Sequence, residues 1–85
     1  MGIERIFETA DLYLSAAITT LLNIEPQYKV VHGNKTIFCY PATDDLYRAM
    51  SIYNAGVELP AVEYAGTIKR LRAEMLMRRN AGARA

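Results

Sequence analysis

Gln27-Tyr28-Lys29-Val30-Val31-His32-Gly33-Asn34-Lys35-Thr36-Ile37-Phe38-Cys39-Tyr40-Pro41-Ala42 is the stretch that decides the fold class. Two runs rich in Val, Ile, Phe and Tyr flank Gly33-Asn34. That combination marks an antiparallel β-hairpin closed by a two-residue turn with glycine in its first central position. The register this predicts sets Val31 beside Thr36 and Val30 beside Ile37. Phe38, Tyr40 and Val31 then share one face, and Tyr28, Val30, Ile37 and Cys39 the other, because side chains alternate along a strand. Both faces are apolar. Helices are expected to cover one, and a partner or the N-terminal segment the other.

Upstream of the hairpin, residues 3–7 read as an edge strand. Thr9 is the expected N-cap of a first helix over about residues 10–22, with Asp11 in its first turn where the helix dipole favours a negative charge. Tyr13, Leu14, Ala17, Ile18 and Leu21 recur at helical spacing and form its expected inward face. Asn23 and Pro26 end it. Downstream, Thr43 caps a second helix over residues 44–54, with Asp44 and Asp45 at its N-terminus, Gly56 as its stop, and Leu46, Ala49, Met50 and Tyr53 as its buried stripe. Pro60 suits the first turn of a third helix that runs to about residue 79. Its expected inner face is Ala61, Tyr64, Ala65, Ile68, Leu71 and Met75, and its outer face Glu63, Thr67, Arg70, Glu74 and Arg78. The predicted architecture is one α+β domain over residues 1–79 in the order (β)-α-β-β-α-α. An antiparallel hairpin or three-stranded sheet packs against the helices, and residues 80–85 form a frayed tail.

Composition bounds the rest. The 85 residues, 52% of them apolar and 22% charged, suit one ordinary globular domain. The longest apolar stretch, residues 12–22, is interrupted by Ser15, Thr19 and Thr20 and is too short to span a membrane. Glu4, Glu8 and Asp11 stand where a secretory signal wants basic residues, so the expected location is cytoplasmic with no membrane partner. A single cysteine, Cys39, excludes an internal disulfide and paired-cysteine zinc motifs. Its apolar neighbours predict a buried, unreactive thiol.

Enzymatic centres find little support. His32 is the only histidine, and Ser15 and Ser51 lie on helices without a glycine-lined elbow. Asp44 and Asp45 are adjacent and point apart. Glu63 and Glu74 line a solvated face, so neither pair is the convergent set that acid–base chemistry needs. Gly33-Asn34-Lys35-Thr36 lacks the glycine before Lys-Thr and is followed by a strand, which excludes a phosphate-binding loop. The expectation is a non-enzyme with no cofactor and no bound metal.

Charge is uneven along the chain. Residues 1–59 hold four Lys or Arg against seven Asp or Glu, whereas residues 60–85 hold six against two. Lys69, Arg70, Arg78 and Arg79 are therefore the candidate residues for phosphate or an acidic partner. The plain alternative is a solvated helix whose basic end complements its own dipole.

Phe7-Glu8-Thr9-Ala10-Asp11-Leu12-Tyr13-Leu14-Ser15-Ala16 resembles the opening Phe-x-Thr-x-Asp-Leu-x-Leu-Ala of a family of short, uncharacterised bacterial and phage domains, with Ser15 where the family has Ala. The resemblance continues through Phe38-Cys39-Tyr40 as a Phe-x-Phe-like strand and Tyr53-Asn54-Ala55-Gly56 as a Tyr-x-x-Gly helix end. It closes on Ile68-Lys69-Arg70-Leu71-Arg72 as the basic helix and spans most of residues 7–76. It implies a compact α+β fold and a mobile-element origin, with no assigned activity.

The apolar surplus outside the expected stripes, at Leu12, Leu22, Val62, Leu76 and Met77, exceeds what so small a domain covers alone. The resulting expectation is a non-enzymatic binding or assembly module that works as a homo-oligomer. The alternative is a nucleic-acid-associated phage or plasmid accessory protein that uses the basic C-terminal helix.

Overall fold

The structure, a computed structural model, describes residues 5–56 and 58–83. The elements run β1 (Ile6–Thr9), α1 (Leu12–Leu22), β2 (Gln27–Val31), β3 (Lys35–Pro41), α2 (Asp44–Asn54) and α3 (Ala61–Ala83). The three strands form one antiparallel sheet in the order β1-β3-β2. This is the α+β order expected from the sequence, with the third strand present.

The hairpin register differs from the expected one by a single residue. Val31 pairs with Lys35, Val30 with Thr36 and Tyr28 with Phe38. The loop therefore holds three residues, His32, Gly33 and Asn34. Gly33 and Asn34 both adopt positive φ, +83° and +60°, which these two residue types tolerate best. Because strand periodicity is two, the shift turns β2 over. Tyr28 and Val30 join Thr36, Phe38 and Tyr40 on the helix-facing side, and Val31 leaves it. Tyr28 thereby lies on Phe38, with ring centroids 5.6 Å apart. β1 lies alongside β3, pairing Phe7 with Tyr40. It extends the sheet at its edge, and among the described residues no element covers the second face. Of the predicted strand, residues 3 and 4 lie outside the described residues.

Local signals place the helices. Asp11, not Thr9, caps α1, accepting the N–H groups of Tyr13 and Leu14 at 2.9 and 3.1 Å. Thr9 is drawn into β1 opposite Phe38, and its hydroxyl accepts the Asp11 N–H instead. Asn23 closes α1 in the left-handed conformation, as expected. Thr43 caps α2 through the Leu46 N–H. Pro60 stands just before α3 and its carbonyl accepts the Tyr64 N–H. The helix continues to Ala83, past the expected end at residue 79.

The core gathers Ala16, Ile18, Phe38, Tyr40, Leu46 and Leu71. α1 is its centre and packs against both α2 and α3, so it buries a block of small and branched residues, Ser15 to Thr19, and not one stripe. Tyr13, expected inside, is half exposed. On α3, Thr67 is buried although it was expected outside, and Ala61 and Ala65 are exposed although expected inside. The inward stripe of α3 is rotated towards Thr67 because the helix leans on α1 along one flank and on β2 and β3 along the other.

Candidate functional site

The four basic residues singled out on α3 go to different places. Arg70 and Arg78 sit on the flank that faces β2, where the chain leaves α1 and enters the sheet. The Arg70 guanidinium donates to Glu25 in the loop between α1 and β2. Arg78 pairs with Glu74 at 3.3 Å, one turn earlier on α3, and its guanidinium lies 4.4 Å above the centre of the Tyr28 ring. Together with Pro26 and Gln27 these side chains line an open groove of about 390 Å³.

Electrostatics inside this groove is nearly balanced. The Glu25 hydrogen bond holds the Arg70 guanidinium in its charged form and raises its pKa further. The Tyr28 phenol is pushed up to about 12, by burial first and then by the Glu74 and Glu25 carboxylates. It therefore stays neutral across ordinary pH and offers Arg78 an aromatic face. Two arginines meeting two glutamates and one ring is an arrangement that clips α3 onto the start of β2. It offers a phosphate little net positive charge.

Lys69 and Arg79 lie elsewhere. At 100° per residue, Lys69 is a quarter-turn or more from Arg70, and Arg79 likewise from Arg78. Both are exposed, and among the described residues neither has an ion-pair partner. Arg72 is exposed and reaches the Tyr13 hydroxyl at 3.2 Å. Sequence reasoning missed Glu25 and Tyr28, which come from outside α3. The Glu74–Arg78 pair was legible in principle from its four-residue spacing.

Two further hollows lie apart from these charges. One, about 380 Å³, is lined by Tyr53, Gly56, Leu59, Ala61, Tyr64, Ala65 and Ile68 at the turn from α2 into α3. The other, about 250 Å³, lies between Leu22, Ile24, Pro41, Thr43 and Asp45. In the second, the Thr43 hydroxyl caps α2 and Asp45 pairs with Arg48 at 2.9 Å.

His32 is exposed in the hairpin loop, whereas Ser15 is buried in α1. Cys39, expected to be buried, is half exposed on the uncovered face of the sheet. Glu8 and Lys29, bridged at 2.8 Å from β1 to β2, flank it there. Burial and then the Glu8 carboxylate push its thiol up, so it favours the protonated form despite its exposure. No helix of the described residues is long and apolar enough to cross a membrane. No protein-family model, no curated protein and no solved structure matches the chain.

Proposed function

We propose that this protein is a non-enzymatic binding and assembly module that acts as a homo-oligomer. The supporting observation is apolar side chain left outside the core: Val62 is 88% exposed, Met77 61%, Ile6 54% and Leu76 45%. Tyr13, Val30 and Tyr47 are exposed as well, and three of these seven, Val62, Leu76 and Met77, lie on α3. A cytoplasmic location fits the lone, half-exposed thiol of Cys39, which an oxidising compartment would leave open to cross-linking. Sedimentation equilibrium tests the reading: mass above the 9.5 kDa of one chain is expected at micromolar concentration and above. The monomer mass throughout would refute it.

A second reading, a nucleic-acid-associated phage or plasmid accessory protein, draws on Lys69, Arg72 and Arg79, all exposed on α3. It ranks lower because Arg70 and Arg78 already hold Glu25 and Glu74. With three phosphate contacts, duplex binding would fall with salt at a log–log slope of about −2.7. A gel shift at low salt that vanishes steeply as salt rises would promote this reading over the first.

A further inference from the structure

The outward face of α3 is complementary to itself. Val62, Ala65, Lys69, Ala73 and Leu76 are all exposed. Taken from Lys69 they fall seven and four residues before it, and four and seven after it. The pattern therefore reads the same from either end of the helix. At 100° per residue the five occupy about 80° of arc, opposite the inward residues Tyr64, Ile68, Leu71 and Met75. Gly66 lies on the shoulder of this stripe, and a methyl group placed there would meet nothing within 4 Å. Glycine inside a helix is costly relative to alanine, and among the described residues no close contact requires it here.

Resting on the assembly reading above, we propose that α3 pairs antiparallel with α3 of a second copy across a two-fold axis at Lys69. Such an axis sets Val62 against Leu76 of the second copy and Ala65 against its Ala73, each contact occurring twice, as an isologous interface requires. The small residues at 65, 66 and 73 allow the two backbones to approach closely. Charge complementarity selects this orientation. The turn before α3 and its first turn carry Glu58 and Glu63, and its C-terminal end carries Arg79, which has no ion-pair partner among the described residues. Antiparallel pairing brings the acidic end of one copy to the basic end of the other, with Arg79 arriving beside Leu59 and Glu58. A parallel pair would stack like on like and align the helix dipoles unfavourably. Only Lys69 meets its own counterpart, and its long stem lets the two ammonium groups part into solvent.

The overlap from Ala61 to Met77 is about 24 Å long at 1.5 Å per residue. A strip of that length and about 10 Å wide, one helix diameter, covers about 240 Å², well below the roughly 800 Å² per partner of a standard interface, so a weak, reversible dimer is expected.

Sedimentation velocity from micromolar concentrations to about 1 mM, on wild type, Val62→Lys and Leu76→Lys, tests the surface. Circular dichroism confirms that both variants are folded. Each replaced side chain is exposed, so folding should persist, and each variant should weaken self-association about tenfold or more. Lys69→Glu, mixed with wild type, brings a carboxylate to the axis opposite an ammonium. Native mass spectrometry should then find mixed dimers above the statistical half. A wild type that associates while both lysine variants associate equally well overturns the α3 surface and leaves the assembly reading standing. A wild type that stays monomeric throughout overturns both.

Discussion

Removing one oxygen, by Tyr40→Phe, tests how the sheet is joined to α1. Tyr40 is 1% exposed. Its hydroxyl donates to the Ser15 carbonyl at 2.8 Å and lies 2.9 Å from the Thr19 hydroxyl, itself in a residue only 4% exposed. The phenyl ring survives the substitution, so no cavity forms and the loss is confined to polar contacts. The bond to Ser15 accounts for about 0.5–1.5 kcal/mol. A stranded Thr19 hydroxyl would add about 1–3 kcal/mol, reduced because Thr19 can turn back to the vacated carbonyl four residues earlier. The expected total is about 2 kcal/mol, a substantial fraction of the 5–15 kcal/mol that holds a typical domain together. In a chain of this size it lowers the thermal midpoint by about 8–16 °C. Denaturant unfolding of Tyr40→Phe, Thr19→Val and the double variant measures it, with a coupling of about 0.5 kcal/mol or more between the two sites. A single-variant loss below about 0.5 kcal/mol, or strict additivity, would refute the hydroxyl junction as a stabilising element.

Three further outcomes follow from the packing of these elements. The Ser15 hydroxyl is buried without a hydrogen-bond partner, so Ser15→Ala should stabilise by about 1 kcal/mol in denaturant unfolding, and a loss of stability would mean that the hydroxyl is satisfied. Gly66→Ala should raise monomer stability by about 0.8–1 kcal/mol, measured at concentrations too low for self-association, and no gain would show that the glycine answers a constraint within the chain. Tyr28 has its folded pKa raised from 10.0 to about 12. Folding thus favours its protonated form, and that contribution is complete below pH 10 and is lost as pH climbs towards 12. Tyr28→Phe should flatten this alkaline loss, and an unchanged pH profile would contradict the burial of the phenol.

What was legible in the chain was what is local. Thr43 before Asp44-Asp45, Asn23 after α1 and Pro60 before α3 each act through the backbone of their own turn, so type and position suffice to read them. The hairpin loop was not so determined. Gly33-Asn34 serves a two-residue turn or the last two places of a three-residue loop equally well. The choice is tied to Tyr28 covering Phe38, a contact made only once the register exists. The first cap failed for a related reason. Thr9 is a sound N-cap by type, but its pairing with Phe38 across the sheet claims it for β1, and Asp11 takes the role. α1 defeats the periodicity argument differently. A helix packed on two helices and close to a sheet buries adjacent small residues, and no single stripe describes it.

The basic helix shows the same limit in its charges. A helical wheel orders residues around their own axis, so Arg70 and Arg78 read as an outer face. It says nothing of Glu25 and Tyr28, which arrive from a loop and a strand more than forty residues earlier in the chain. Once those partners are counted, two of the five basic residues of α3, Arg70 and Arg78, are bracing. The helix falls into two flanks with different physics. The flank towards β2 is a neutralised clip whose rupture would cost stability. The outward stripe keeps a single charge, Lys69, between apolar and small residues. On that stripe the two functional readings respond differently to salt. Phosphate contacts weaken steeply as counterions are restored, whereas in a two-fold contact screening would relieve the Lys69 pair, weaken the attraction between the end charges and leave the apolar contacts in place. The balance of charge between the two ends of α3 therefore matters more than its total. An acidic end preceding a basic end suits the dipole of α3 itself and, in the proposed pair, would also set unlike charges together.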